Sequence, residues 1–359
     1  MGYPSVDILQ KSLTSNIFSN KKDAKKAAGR ALGTIVEIIT YYLLREWGFS
    51  ANIEIETKLP EFGNADISHN VEFTLHRIIH QDEKSIVKPL TYNAARNLFG
   101  YRPTDAKSGA FIDKNDIIKN SSILGADNNT IGICNLCQSK IVFSQIKKQA
   151  SAMFECKRVG VEEGQKKGPQ TIEKAKQGAY VALKSSSLQK IRDKEGIVYG
   201  VYFKDGKLHT EKYEAALYAC LHSNMLEDFI LSFGVISNHG NWFTSNDMNK
   251  ELKVLSQSYD RLLFLTDSGL CSFIEKTILN PSSKYLPIKD AFIGSYSEGK
   301  KINTFTKSKI SLDAHIALAD FFHENITLVE SWFNIISPDG MTMTEIKEQL
   351  HTLLYQQLI

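Results

Sequence analysis

One stretch of eight residues, Ala152-Met153-Phe154-Glu155-Cys156-Lys157-Arg158-Val159, constrains the fold more than any other. Its apolar character predicts a strand of the kind found innermost in a sheet. Successive side chains on a strand point to opposite faces, so Glu155 and Lys157 project together while Phe154 and Cys156 face the other, apolar side. A carboxylate and an ammonium placed together in a core-like setting need a chemical reason. Phosphodiester cleavage supplies one. A hard divalent cation takes oxygen ligands, which the Glu155 carboxylate and the Cys156 carbonyl can offer. Lys157 would hold or deprotonate the attacking water and offset charge building on phosphorus, a task that burial beside a metal favours by lowering a lysine pKa. The E-x-K spacing alone is weak, because it arises by chance in most proteins.

The surroundings raise its weight. Residues 20–48 read as an amphipathic helix: Ala28, Leu32, Ile35, Ile39 and Leu43 recur at helical spacing, Asn20 can cap the start and Gly48 supplies a stop. This helix carries Glu37 between Val36 and Ile38, and a carboxylate in so apolar a stretch is expected to be paired or metal-linked. Strands are expected at 52–59, 71–79, 130–134, 152–159, 196–203 and 261–266. Helices are expected at 171–184, 213–233, 270–279, 312–336 and 344–358. Alternating strands and helices predict an α/β core with a central mixed sheet flanked by helices. Residues 1–280 would form this core, with 81–130 irregular and polar and a long insertion at about 80–150 that would supply sequence-reading elements, and 281–359 a mainly helical C-terminal subdomain for packing or dimerisation.

Charge follows the same segment. The chain of 359 residues has a net charge of only +3, yet residues 140–194 hold 13 Lys/Arg against 5 Asp/Glu. Such a block is either a solvated face or the footprint of a phosphate-backbone surface. Lys166, Lys167, Lys174 and Gln177, just after the E-x-K strand, are the candidate contacts.

With these residues in order, the chain resembles the PD-(D/E)xK nuclease superfamily, and within it the type II restriction endonucleases. That family places a Glu on an early helix, an Asp at the start of a hairpin strand and the ExK pair on the next strand; Glu37, an upstream Asp, Glu155 and Lys157 follow that order. The resemblance covers roughly residues 20–205. It implies a restriction-endonuclease-like three-layer core, a Mg²⁺ cofactor, sequence-specific double-stranded DNA as substrate and a homodimer for cutting a palindrome. Glu155 and Asp127 would bind Mg²⁺, Lys157 would manage the nucleophile, and Glu37 would support a metal or Lys157. No Pro-Asp dipeptide precedes Glu155 at a suitable distance, so Asp127 is the first choice, with Asp113, Asp116 and Asp66 open. Asp66 would make residues 80–150 one long insertion. A repair or recombination nuclease of the same fold, or a non-catalytic DNA-binding protein, is the alternative.

Other features point elsewhere. Cys134 and Cys137 have the spacing of half a zinc site, without a second CxxC. His69–His76 reads as one continuous strand rather than a His/Asn nuclease hairpin; its polar residues Glu72, Thr74 and His76 would line a cleft or face solvent. Gln177-Gly178-Ala179-Tyr180 resembles the Gln/Tyr helix motif of exonuclease branches only loosely. Five cysteines do not suggest a disulfide framework. Met1–Asp7 lacks the profile of a secretion signal, and the apolar runs fall short of a membrane span. A cytoplasmic, membrane-free protein is the expectation.

Overall fold

The computed structural model describes residues 5–17, 24–160, 169–239, 250–296, 303–338 and 340–355. Its centre is a nine-stranded mixed sheet. In chain order the strands are β1 (Ile53–Glu61), β2 (Asn64–Ser85), β3 (Asp105–Ala106), β4 (Ser122–Ala126), β5 (Thr130–Cys137), β6 (Lys140–Gly160), β7 (Leu231–His239), β8 (Arg261–Leu265) and β9 (Phe333–Ser337). The long strand β6 is the spine. β2 lies antiparallel along one flank; on the other flank lie β5, antiparallel, and then β7, parallel. β8 continues the parallel set and β9 closes that edge antiparallel.

Helices cover both faces. On one side lies α1 (Val6–Asn16) with α2 (Ala24–Leu44), whose Ile35, Ile38, Ile39 and Leu43 join a large core with Phe73, Phe154, Phe233 and Val235. On the other, α3 (Pro169–Ser185) and α4 (Lys250–Ser258) enclose Met153, Val159, Ala179, Leu255, Tyr259 and Ile236. The alternation of β6 explains the division: Phe154 and Cys156 go to the α2 side, Met153 and Val159 to the other. Phe73, Phe154 and Phe233 form one rung across β2, β6 and β7. The Phe154 and Phe233 rings stack at 4.3 Å between centroids, a contact worth about 1 kcal/mol beyond its burial.

The expected α/β class with a central mixed sheet between helices is what the chain adopts. Several finer expectations are corrected. Asn20, the expected cap of the first long helix, lies outside the described residues. The helix expected over 213–233 stops at Ser223, where Asn224 takes a left-handed φ of 50°. Leu231–His239 is instead the parallel strand β7, whose Leu231, Phe233 and Val235 join the core on the α2 side while Ile236 joins the other. The strand near 196–203 is not in the central sheet; Val198–Lys204 pairs with Gln189–Arg192 and Lys207–Lys212 in a separate three-stranded sheet.

The stretch 81–130, expected to be irregular, holds a short helix and several short strands. β2 runs on to Ser85, β6 begins at Lys140, and strands between them build their own core around Tyr92, Phe111, Ile118, Leu136 and Phe143. The C-terminal part is not only helical. β9 joins the central sheet, and Lys309–Ser311 pairs with Ile117–Lys119. Among the described residues one helix, Ala27–Phe49, is long and apolar enough to cross a membrane by length and composition, and 67% of its apolar window is buried inside the fold.

Candidate active site

The sheet forks. β2 and β6 pair from Ser85–Lys140 to a last rung at Phe73–Phe154. Beyond that rung β2 stays with β1 while β6 stays with β7. Glu72 and Glu155 are the first residues past the fork. The Glu72 N–H, no longer committed to the ladder, donates to Glu155 Oε2 at 3.3 Å. The side chain of Glu155 is buried, and its Oε1 lies 2.5 Å from Lys157 Nζ, which is one-quarter exposed. The two residues therefore share one face of a buried strand, as the sequence predicts.

A helix presses on Glu155 from the α3 side. Gly178 leaves room for this: a Cβ there would collide with Cβ and Cγ of Glu155 and with the Tyr259 hydroxyl. A glycine inside a helix costs about 1 kcal/mol relative to alanine, so this close approach gives Gly178 a packing reason.

Three more carboxylates gather around a second ammonium. Lys307, almost fully buried, lies 3.0 Å from Glu37 Oε2 on α2, in close contact with Glu72 Oε2 on β2, and 3.5 Å from Glu56 Oε1 on β1. Its main chain is fixed as well. The Lys307 carbonyl accepts from Asn120 Nδ2 at 2.9 Å, and the Ser308 carbonyl from the Asn120 N–H at 3.0 Å. Glu37, Glu56, Glu72, Glu155, Lys157 and Lys307 thus form one charged cluster, with four acids against two lysines.

Burial is the largest influence on each of these groups. Burial pushes the Glu155 carboxyl above its ordinary range despite the pull of Lys157. Burial, followed by repulsion from Glu72, does the same to Glu37 against the pull of Lys307. Burial disfavours the charge on Lys157, but Glu155 outweighs it and holds the ammonium above its usual pKa. With a carboxylate as its neighbour, Lys157 carries its proton at neutral pH. Lys307 is raised by Glu37 and Glu72 in the same way, again against burial.

Asp127 is not part of the cluster. It sits at the β4–β5 turn, where Oδ1 accepts from the Thr104 N–H at 2.9 Å and from Thr104 Oγ1 at 3.1 Å. Thr130, close by, pairs with Lys147 of β6, eight residues before Glu155 and so about 25 Å away along the strand. The other aspartates are no closer to the role. Asp113 accepts from the N–H groups of Asn115 and Ile117, Asp116 pairs with Lys88 at 3.0 Å, and Asp66 is exposed on the outer part of β2. Glu72 belongs to the charged cluster, although the sequence does not single it out. It had been grouped with Thr74 and His76 on a polar strand face, but those two are fully buried and Glu72 reaches Lys307. A partial signal existed: Glu72 lies in an alternating strand of the right length, one strand before E-x-K in space.

The remaining candidates fall as follows. Cys156 lies opposite Val235 in the β6–β7 ladder, with its thiol 3.4 Å from Thr40 Oγ1 on α2. Lys166 and Lys167 lie outside the described residues, as does the side chain of Lys174. Gln177 is exposed on α3 and lines a surface recess with Lys176, Tyr180 and Val254. Cys134 and Cys137 occupy one strand three residues apart, hence on opposite faces; Cys134 is buried and Cys137 lies 3.0 Å from Ser50 Oγ.

Among the described residues, no three His, Cys, Asp or Glu side chains converge closely enough to hold a metal ion as they stand. The two ammonium groups occupy the space between the acids. Carboxylate oxygens are the donor type that a hard cation takes, and burial is the main cause of the raised Glu37 and Glu155 carboxyls. Compared with family models, curated proteins and solved structures, the chain gives no match.

Proposed function

We propose that the fork is the active centre of a Mg²⁺-dependent endonuclease that hydrolyses phosphodiester bonds in double-stranded DNA, of the type II restriction endonuclease kind. The observation that carries this reading is the meeting of Glu37, Glu72, Glu155 and Lys157. It matches the PD-(D/E)xK order, with an early helix, a hairpin strand and the E-x-K strand beside it, and with glutamate at the position the family gives to aspartate. The fold reading is correspondingly a restriction-endonuclease-like core, in which α2, the β1–β2 hairpin, β6, α3 and β7 are the shared elements.

Glu155 and Glu72 would hold the ion, with Glu37 supporting through Lys307. When bound, Mg²⁺ supplies a Lewis acid for the scissile phosphate and lowers the pKa of coordinated water. Lys157, charged and partly open to solvent, donates to a phosphate oxygen and offsets the negative charge that develops on it. Glu155 anchors that ammonium, and the Glu72 N–H fixes the orientation of Glu155. Exposed Lys176, on the same helix as Gly178, adds positive charge near the site for the DNA backbone. Cutting both strands would take a homodimer.

The test is incubation of the purified protein with bacteriophage DNA and Mg²⁺. Discrete fragments support the restriction reading, a smear indicates a nuclease without sequence preference, and a gel shift without cleavage indicates a DNA-binding protein only.

A further inference from the structure

Away from the fork, Arg45 carries a charge that no acid answers. It follows Glu37 by eight residues, about 12 Å of helix. The side chain is half-buried, and its hydrogen-bond partners are all neutral. Nη1 donates to the Tyr41 hydroxyl at 3.3 Å, while Nη2 donates to the Leu136 carbonyl and, at 3.3 Å, to His315 Nε2. Burial, followed by the Arg45 charge, holds the His315 imidazole well below its ordinary pKa, so that ring is neutral. The strongest electrostatic neighbours of Arg45 are Tyr41, Cys137 and Tyr42, and among the described residues no carboxylate forms an ion pair with it. Lys157, Lys190 and Lys307, by contrast, each pair with a carboxylate. A guanidinium has five N–H donors. The three contacts leave donors at Nε and Nη1 without a protein acceptor among the described residues.

Arg45 lines a cavity of about 830 Å³. The helix Leu312–Glu324 gives this cavity an apolar wall, since Leu312, Ile316, Ala319 and Phe322 recur every three or four residues and all line it. Ser50 and Ser139 add hydroxyl groups. The other charged residues of the lining have partners of opposite sign: Glu46 lies 2.9 Å from His323, Asp320 3.4 Å from Lys284, and Lys88 3.0 Å from Asp116. An apolar wall with a few polar groups, at this volume, is the usual form of a small-molecule site. A carboxylate matches the fork of N–H donors on a guanidinium and brings the single negative charge that Arg45 lacks.

We propose that this cavity is a binding site for a small organic acid, whose carboxylate pairs with Arg45 and whose apolar body lies along the helix Leu312–Glu324. The site is separate from the fork and does not rest on the nuclease reading.

The test is isothermal titration calorimetry of the full chain with phenylacetate and with phenylacetamide, an acid and an uncharged amide of nearly the same shape. The acid should bind about 10–100-fold more tightly than the amide. Arg45→Met should reduce the acid to the affinity of the amide. Ala319→Trp, which fills the cavity and keeps the cation, should weaken both. Circular dichroism checks that each variant is folded. Equal affinity for acid and amide would overturn the proposal, as would an acid that does not bind the unmodified protein. Undiminished acid binding by a folded Arg45→Met or Ala319→Trp would place the acid elsewhere and overturn it too. Should Arg45→Met not fold, the acid–amide comparison and Ala319→Trp still decide.

Discussion

The N–H of Glu72 points at the carboxylate of Glu155, 3.3 Å away, one residue beyond the rung at which their strands cease to pair. Past that rung Glu155 stays in the ladder with Gly234, while the Glu72 N–H turns from its former neighbour strand to a side chain. This is how a sheet built for packing comes to hold charge at one place.

Removing the amine of Lys157 tests the chemistry most directly. Lys157→Ala should lower DNA cleavage by about 10²–10⁴-fold, the range for losing a group that acts on the reacting atoms. Affinity in a gel shift should stay near that of the unmodified protein. Cleavage at full rate, with contaminating nuclease excluded, would retire Lys157 from the mechanism.

Glu72 and Asp127 can be set against each other. Glu72→Ala removes an acid from the fork and a partner from Lys307, and cleavage should fall on the order of 100-fold. Asp127→Ala loses hydrogen bonds to Thr104 and an interaction with Tyr101 at a distant turn. It should cut normally and lose no more than about 1 kcal/mol of stability. Single-turnover cleavage of the two variants decides between them; a dead Asp127→Ala would be incompatible with this geometry.

Gly178→Ala should behave contrary to helix propensity. At an ordinary helical site the change gains about 1 kcal/mol. Here the new methyl meets Glu155 and the Tyr259 hydroxyl, and a loss of about 1–3 kcal/mol is expected from overpacking. Urea unfolding measures it, and a stabilised variant would show that α3 does not press on Glu155.

A buried pair away from the fork governs the pH profile of stability. Burial pushes the Glu54 carboxyl up to about 7 and the His76 imidazole down to about 4, although the two lie 3.5 Å apart. Between those values both are neutral, so the contact is not an ion pair. For Glu54 the folded pKa exceeds the unfolded value of 4.5. Its contribution is therefore fully present below pH 4.5 and is lost as pH rises through 7. For His76 the folded pKa is below 6.5, so its contribution is present above pH 6.5 and is lost as pH falls toward 4. Glu54→Gln should remove the first effect. Relative to the unmodified protein it should gain about 3 kcal/mol between pH 4.5 and pH 8. Urea midpoints at the two pH values provide the check; a constant offset would place an ionised Glu54 in the fold.

The parts of this structure that were legible in sequence are those with a local period. The alternation in Ala152–Val159 placed Glu155 and Lys157 on one face, and the helical spacing of Ala28 to Leu43 placed α2 with Glu37 on it. What escaped had no local signature. The start of β7 continues the apolar run Phe229-Ile230-Leu231, so no local break in the sequence separates it from the helical pattern before it. The strands of two to five residues between β2 and β5 are too short for any pattern to show. Glu72 looked like a polar strand residue because its relation to Glu155 depends on where two strands part, which is a tertiary fact. Lys307 could not be found at all from its neighbours, since its partners are Glu37, Glu56 and Glu72, far upstream.

That last separation has a consequence for synthesis. Glu37, Glu56 and Glu72 leave the ribosome long before residue 307 does, and until then they have no fixed counter-charge to draw them together. The acidic side of the fork can be completed only when most of the polypeptide has been made, so a truncated chain would carry the E-x-K strand without a finished site around it.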